Sequence, residues 1–426
     1  MVKTAENKPS FDLLADVLIV GGGMAGCSLA CALAGAGFNI VVLDRVDQSA
    51  QTADEFDGRA SAIAEAPKKM LDQIGMWRYL RANFAPILDI RVADGDSRLF
   101  LHYDHEDIGE DAFGYMVENR HFRQAVFARL QELATESNGA TYIAPAELKS
   151  VSNGPEGVRA ELSDGRLIKA GLLVGADGRQ SQIRQEAGIK LTKWSYHQTG
   201  IVLTVDHEIP HHNVAHEHFL PAGPFAILPL KNNVAGEAGQ NNRSSIVWTE
   251  KDELVESIMA LPEKEFAEEF QKRFGDFLGH VNFIGPRWTY PLTLQYAETS
   301  IAERLALVGD ASHGMHPIAG QGLNMGLRDV AALAEVLTDA RRLGLDIGTS
   351  SVLDQYEHWR RFDNTLMLAM TDGLNRLFSN DIAPLKLARD IGLAAVNKAG
   401  PLKKVFMRHA MGSTGNLPRL LKGEAL

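Results

Sequence analysis

Gly309-Asp310-Ala311-Ser312-His313, running on through Pro317 to Gly320-Gln321-Gly322-Leu323-Asn324, is the stretch from which the fold is read. The apolar run Leu305-Ala306-Leu307-Val308 before it has the character of a buried strand. Asp310 therefore stands at a strand's carboxyl end, the place where open α/β sheets bind ligands. Gly320-Gln321-Gly322 then opens a long helical pattern, Leu323 to Leu343, whose amino end suits negative charge.

Two similar strand ends lie upstream. Leu172-Leu173-Val174 turns into Gly175-Ala176-Asp177-Gly178-Arg179-Gln180-Ser181, with Arg184 following. The run Asp16 to Val20 ends in Gly21-Gly22-Gly23-Met24-Ala25-Gly26, then a helical segment to Gly37, a second apolar strand Asn39 to Leu43, and Asp44. This is a βαβ unit with G-x-G-x-x-G at its first turn. Gly21 permits the tight turn, Gly23 lets backbone approach a pyrophosphate, and Gly26 lets helix and sheet pack closely. Asp44 is placed to accept hydrogen bonds from an adenosine ribose and repels a 2′-phosphate, which favours FAD or NAD over NADP; the neighbouring Arg45 blurs that preference. The motif alone leaves FAD and NAD open.

With 426 residues the chain has room for two or three domains, and its 45% apolar and 23% charged residues are ordinary for a globular protein. A formal charge of -11 argues against nucleic acid as a partner. Cys27 and Cys31 share one helix face and read as small core residues, not a redox pair. No apolar run is long enough to span a membrane, and Met1 to Ser10 lacks the apolar core of a secretory signal. A soluble, cytoplasmic protein is expected, with contact to a membrane surface left open.

From about Lys193 to Ser300 the βαβ rhythm stops. Alternation in Gly200 to Thr204 and Ser245 to Trp248 predicts antiparallel sheet, and Lys231 to Arg243 a hairpin connection. Phe225 to Leu230 reads equally as a core strand and as an apolar wall that keeps water from a pocket. His211, His212, His216 and His218 tempt a metal assignment; without a cysteine, and with Glu217 pointing away, they read as solvated sheet residues. His313 and His316 read as packed or hydrogen-bonded. The tail Pro401 to Ala410 mixes apolar and basic residues, with Arg419 and Lys422 after it. It reads as a terminal helix docked on the fold, ahead of a segment resting on anionic lipid.

The chain resembles the FAD-dependent aromatic hydroxylases, the class A monooxygenases, and more narrowly the ubiquinone-biosynthesis hydroxylase family. The resemblance is carried by Gly21 to Gly26, by Asp177-Gly178 with Ser181 and Arg184, and by Gly309-Asp310. Narrower marks are Gly114-Tyr115-Met116-Val117-Glu118-Asn119-Arg120, Gly223-Pro224 through Pro229-Leu230, and His316-Pro317 through Arg328-Asp329. Thr371-Asp372-Gly373-Leu374 and Leu377-Phe378-Ser379 also fit.

The family implies an α/β fold: a Rossmann-like FAD domain of the glutathione-reductase type, an inserted, mainly antiparallel β substrate domain, and a C-terminal helical region. The expected division is 1–190 with 300–345, then 191–299 with part of 85–118, then 346–426. Gly21, Gly23 and Gly26, with Met24 and Ala25, would cradle the FAD pyrophosphate; Asp44, beside Arg45, would hold the ribose, where the family usually carries glutamate. Arg59 and Asn119 match segments near the cofactor, Asp177 supports its site, and Asp310 would bind the ribityl chain. Gly322, Leu323 and Asn324 would set N–H groups at the pyrimidine edge of the ring, with Pro317, Gly320 and Gln321 in the same segment.

The implied reaction is hydroxylation of the aromatic ring of a polyprenylated phenol or quinone precursor through a flavin C4a-hydroperoxide, consuming O2. Electrons would come from NAD(P)H at a transient site or from a protein donor, since no other G-x-G-x-x-G follows a strand. A quinone-biosynthesis complex and the membrane surface are further expected partners. No catalytic residue is assigned and no metal is expected. The alternatives are a soluble hydroxylase of a small phenol and a non-catalytic FAD-binding scaffold of such a complex.

Overall fold

Three parallel strands end at one level. In the computed structural model Leu13–Val20 pairs with Leu167–Gly175, setting Val20 opposite Gly175, and Leu167–Gly175 pairs with Leu305–Leu307, setting Gly175 opposite Leu307. The structure describes residues 11–53, 57–95, 100–109, 112–135, 139–232, 242–379, 389, 400, 403–404, 407, 411–412 and 415–426. On its other side Leu13–Val20 pairs with Ile40–Leu43, which in turn pairs with Ala140–Ile143. The strands are continuous apolar runs because both faces are covered. On one face lies the helix Met24–Gly35, buried nearly all round and packed against the helices Gln321–Arg342 and Asn119–Leu133. Each Leu or Ile buried in that layer contributes on the order of 2 kcal/mol.

A second, eight-stranded sheet stands over these carboxyl ends. Its order is His313–Gly314, Val281–Ala297, Leu191–His207, Arg243–Lys251, Gly223–Leu230, Val214–Leu220, Asp89–Asp94 and Phe100–Asp104. The two segments singled out by alternation pair with each other, Gly200 opposite Thr249 and Thr204 opposite Ser245. All pairings are antiparallel except Val214–Leu220 with Asp89–Asp94, which is parallel. One face, with Ile201, Leu203, Phe225, Ile227, Ile246 and Trp248, packs on Phe266, Phe270 and Phe274 of the helix Glu263–Phe274. The opposite face looks toward the first sheet's loops. A three-stranded sheet, Ala60–Ala64, Gly114–Glu118 and Phe84–Ile87, joins the two bodies.

The strand histidines depart from the solvated reading. His211 is 2% and His216 9% exposed, and of the four only His212 is exposed. His216 packs 4.7 Å from the Phe277 ring, and the His211 Nε2 lies 3.1 Å from the Leu230 carbonyl. Burial lowers the His211 pKa to about 4 and that of His216 to about 3. Alternation shows which residues share a face, but whether something covers that face is decided by distant sequence, here the turn carrying Phe277.

The helix Ser350–Phe378 lies along Gln321–Arg342, and its Tyr356 hydroxyl donates to the Leu307 carbonyl at 2.8 Å. Near the chain's end Arg419–Lys422 is docked on the fold: Leu420 and Leu421 are buried, and Arg419 pairs with Asp339 at 2.6 Å and with Glu335. The tail Pro401 to Ala410 lies outside the described residues apart from Lys403, Lys404 and Met407, and the Lys231–Arg243 connection lies outside them over 233–241.

Candidate functional site

The glycine turn is shaped by close backbone packing. Gly21 has φ +110, and a Cβ there would lie 2.3 Å from the Ala176 carbonyl oxygen; a Cβ at Gly26 would lie 2.0 Å from that of Gly21. At Gly23 a Cβ would meet no atom within 4 Å, so the turn is bare on its outer side. Asp44 accepts from the Gly22 N–H at 2.6 Å and the Val46 N–H at 2.7 Å, which fixes its carboxylate at the rim. Arg45 is exposed beside it, and Met24 and Ala25 are partly exposed at the turn. Cys27 and Cys31 are free and fully buried; burial pushes both thiols up, Cys31 to about 12, which fits core packing and not redox work.

The second loop is tied to the first and third. The Ala176 N–H donates to Val20 at 2.7 Å, and the Val308 N–H to Gly175 at 3.0 Å. Asp177 caps the short helix that follows, accepting from the N–H groups of Gln182 at 2.8 Å and Ile183 at 3.2 Å. Arg184, 3% exposed, donates to the Ala311 carbonyl at 2.7 Å and to that of Arg179 at 3.0 Å. Arg179 reaches Asp310 at 3.2 Å, and Gln295 of the large sheet donates to the Asp310 backbone oxygen at 3.0 Å. Asp310 itself is exposed, with its carboxylate free to meet a ligand on one side.

Beneath Gly309 lies a buried charge network. The Asp329 carboxylate accepts from the Gly309 N–H at 3.0 Å and from Arg360 at 2.7 Å, and it pairs with His313 at 2.6 Å. Burial pushes the Asp329 carboxyl up, but His313 and Arg360 outweigh it and hold the pKa at about 2.

The helix Gln321–Arg342 starts at Gly320, which has φ +61 and would bring a Cβ 3.3 Å from Ala62. Its first turn leaves the N–H groups of Gln321, Gly322 and Leu323 without helical partners. A Cβ at Gly322 would meet nothing within 4 Å, so this end too is open. Asn324 has a different part. Its backbone N–H belongs to the first helical bond, to Gly320, and its side chain clamps the Ala60–Ala64 strand by accepting from the Ala64 N–H at 3.0 Å and donating to Ala62 at 2.8 Å. Pro317 precedes the single turn Ile318–Gly320 that leads into the helix.

Arg59 lies over the Tyr290 ring, 4.6 Å from its centre, and forms a two-pronged pair with Asp57 at 2.8 and 2.9 Å. Burial pushes the Asp57 carboxyl up; Arg59, Arg123 and Asn119 more than reverse it and hold it well below the usual carboxylate range. Asn119 is 2% exposed, and its amide is spent on Asp57 and Ser61. It therefore positions Arg59 and does not face a ligand. Sequence reading missed Asp57, Arg123, Asp329 and Arg360. For Arg123, Asp329 and Arg360 the signal was charge inside an apolar helical pattern, as at Arg328-Asp329; Asp57 lies in a loop, where no such pattern marks it.

The bare turn at Gly23, the open helix end at Gly322 and the exposed Asp310 fit one extended dinucleotide running between strand ends, with its diphosphate at the first helix and its ring at the second. A family model described as FAD binding domain matches residues 14–369. The chain is 54% identical to the ubiquinone hydroxylase UbiL of Rhodospirillum rubrum, over 98% of this chain and 95% of that one. It is 34% identical to the 3-demethoxyubiquinol 3-hydroxylase of Escherichia coli, over 93% and 98%. Among solved structures it is similar to p-nitrophenol 4-monooxygenase PnpA of Pseudomonas putida, with a TM-score of 0.77, 19% identity and coverage of 95% and 100%. By fold and by its relatives the chain is an FAD-dependent aromatic monooxygenase. Within that class the chain belongs to the ubiquinone-biosynthesis hydroxylase family.

Proposed function

We propose that this chain hydroxylates the ring of a polyprenylated phenol or quinone precursor on the route to ubiquinone. The observation that carries the reading is the alignment of the loops after Val20, Gly175 and Val308 beneath an apolar sheet face, in a chain 54% identical to a ubiquinone hydroxylase. FAD, when bound and reduced by an electron donor, would supply the activation of O2, one atom of which goes to the ring and the other to water.

The chain's own residues supply the rest. Gly21, Gly23, Met24, Ala25 and Gly26 take the diphosphate against the helix Met24–Gly35, and Asp44 offers its remaining lone pairs to a ribose, with Arg45 alongside. Asp310 binds the ribityl hydroxyls, steadied by Arg179, while Asp177 and Arg184 hold the loop that carries Arg179. The open N–H groups of Gln321, Gly322 and Leu323 stabilise negative charge at the ring's pyrimidine edge without a titratable cation, and Pro317 and Gly320 set the angle of that helix end. Arg59 covers the cofactor from the Tyr290 side. Val202, Val247, Ala226 and Leu228 face the ring and exclude water.

A reduced nicotinamide at a transient site or a protein partner supplies the electrons. A long-tailed substrate would be met at a membrane surface, where such a tail partitions; no helix among the described residues is long and apolar enough to cross a membrane. Deleting the gene and analysing accumulated quinone intermediates by mass tests the reading: a precursor one hydroxyl short is expected, and an unaltered quinone pool contradicts it.

A further inference from the structure

On the ring-facing side of the large sheet the direct neighbours of Glu217 are apolar. Glu217 sits in a row with Ala226, Val92 and Leu101, residues directly opposite one another on adjacent strands. Two residues before it, Ala215 packs with Met116 and against Ala60 and Ala62 of the strand beneath Gly320. Two residues after it, Phe219 packs with Ile318, in the turn that opens the Gln321–Arg342 helix. Glu217 shares their face and so looks into the space between these two contacts, the space in front of the ring-binding helix end.

Solvent reaches part of Glu217, yet protein atoms surround it as densely as the deep core. Its carboxylate is thus only partly exposed, between the Ala215 and Phe219 contacts. Burial alone raises its pKa to about 7, with no charge or donor among the described residues to offset it. Other ionisable groups on this face are committed: Arg243, opposite Leu230, pairs with Glu118, and Tyr290 lies under Arg59. Asp94 is closed in a buried pair with Arg389 at 2.7 Å. Tyr103 has its pKa pushed up to about 12 by burial and stays protonated. The facing strand Ala60–Ala64 carries no ionisable side chain, and His316, before Ile318, packs on Tyr196 and is lowered to about 3 by burial.

We propose that Glu217 is a catalytic residue that receives the ring-hydroxyl proton of the phenolic substrate. The phenol O–H bond breaks, its electron pair stays on the phenolate oxygen, and the proton passes to a Glu217 carboxylate oxygen; the electron-richer ring then takes the oxygen atom, and the proton returns to the hydroxyl as product leaves. This rests on the ring-hydroxylation reading. A carboxylate facing that space with no partner of its own is what such a transfer needs.

The test uses the full FAD-loaded chain and two probes, ortho-geranylphenol and its methyl ether, with binding followed by perturbation of the flavin absorbance. In the wild type the preference for the phenol grows on the order of tenfold as pH rises through neutrality, because the carboxylate is the acceptor. In Glu217→Gln the preference is flat with pH, FAD content is unchanged, and turnover of the phenol falls about 10²-fold or more. A Glu217→Asp variant keeps the pH dependence with weaker turnover. The same pH-dependent preference in Glu217→Gln as in the wild type overturns the assignment, as does equal turnover of the Gln and Asp variants at every pH. If the wild type shows the binding preference but forms no hydroxylated product, the ring-hydroxylation reading fails while the proton-accepting role of Glu217 stands.

Discussion

The Asp329 carboxylate and the His313 ring meet at 2.6 Å, both essentially without solvent contact, and the same carboxylate holds the Gly309 N–H at 3.0 Å. A buried carboxylate–imidazole contact beneath the third loop thus fixes the peptide that presents Asp310. The network continues through Arg360 to Asp363 and Asn364 on the neighbouring helix, so the loop is referenced to two helices at once.

Replacing Asp329 with Asn removes one of the two carboxylates that face buried Arg360 and leaves Asp363 as the other, at a cost of about 3 kcal/mol. The pH dependence follows from the sign of the shift. Because the folded pKa is depressed to about 2, the carboxylate stabilises the protein above its unfolded value near 4 and loses that contribution as pH falls toward 2. Urea titrations should show Asp329→Asn weaker than wild type at neutral pH, with the gap closing across that acid window. A gap that stays constant down to the folded pKa would contradict the assignment.

Gly23 and Gly26 separate cofactor binding from folding. A Cβ at Gly23 has open space and a compatible extended backbone, whereas one at Gly26 runs into the Gly21 carbonyl. Gly23→Ala is expected to keep the apoprotein's melting temperature within a degree or two while FAD affinity falls at least tenfold. Gly26→Ala is expected to lower the melting temperature by several degrees or to yield no folded protein. Thermal unfolding of both apoproteins, beside FAD titrations, reads the difference.

Gly320 makes the matching prediction at the other helix end. Its φ of +61 costs an L side chain about 1 kcal/mol, and the added Cβ presses on Ala62 at 3.3 Å. Gly320→Ala should lower stability by that order and weaken FAD binding, since the helix end must tilt. Equal FAD affinity would show that the helix end does not meet the cofactor.

Glu217 carries a stability signature independent of turnover. Its pKa is raised to about 7, so the folded form favours the proton. Stability from that proton is full below the unfolded value near 4.5 and is lost as pH rises through 7. Glu217→Gln, which needs no proton, should be more stable than wild type by a few kcal/mol at alkaline pH and nearly equal to it in acid. Denaturant midpoints measured across that range decide it.

The parallel strands were legible because an apolar run closed by glycine and aspartate suits a buried strand that opens into a ligand loop, and suits little else. Val20, Leu43, Val174 and Leu307 all stand at or beside the ends of strands in the structure. The antiparallel sheet was legible from alternation in Gly200 to Thr204 and Ser245 to Trp248. Its single parallel pairing, Val214–Leu220 with Asp89–Asp94, was not, because it joins segments more than a hundred residues apart. Which strand faces are covered was equally hidden: His216 and Glu217 are adjacent, yet one packs on Phe277 and the other lies on the opposite face, with Ala215 and Phe219. Alternation separates their faces without saying which face meets the cofactor. Asn119 and Asn324 were read as cofactor residues from their segments, whereas their amides bond Asp57 and Ser61 and clamp the Ala60–Ala64 strand, a distinction that only side-chain geometry makes.

The convergence of three strand-end loops on one flavin is tested most directly by titrating the purified apoprotein with FAD and following flavin fluorescence. Saturation at equimolar FAD is expected, with a yellow protein that keeps its colour through gel filtration; saturation should weaken together in Gly23→Ala, Gly320→Ala and Asp310→Ala. A colourless protein that leaves added FAD unbound, or one whose FAD affinity is indifferent to all three substitutions, would contradict it.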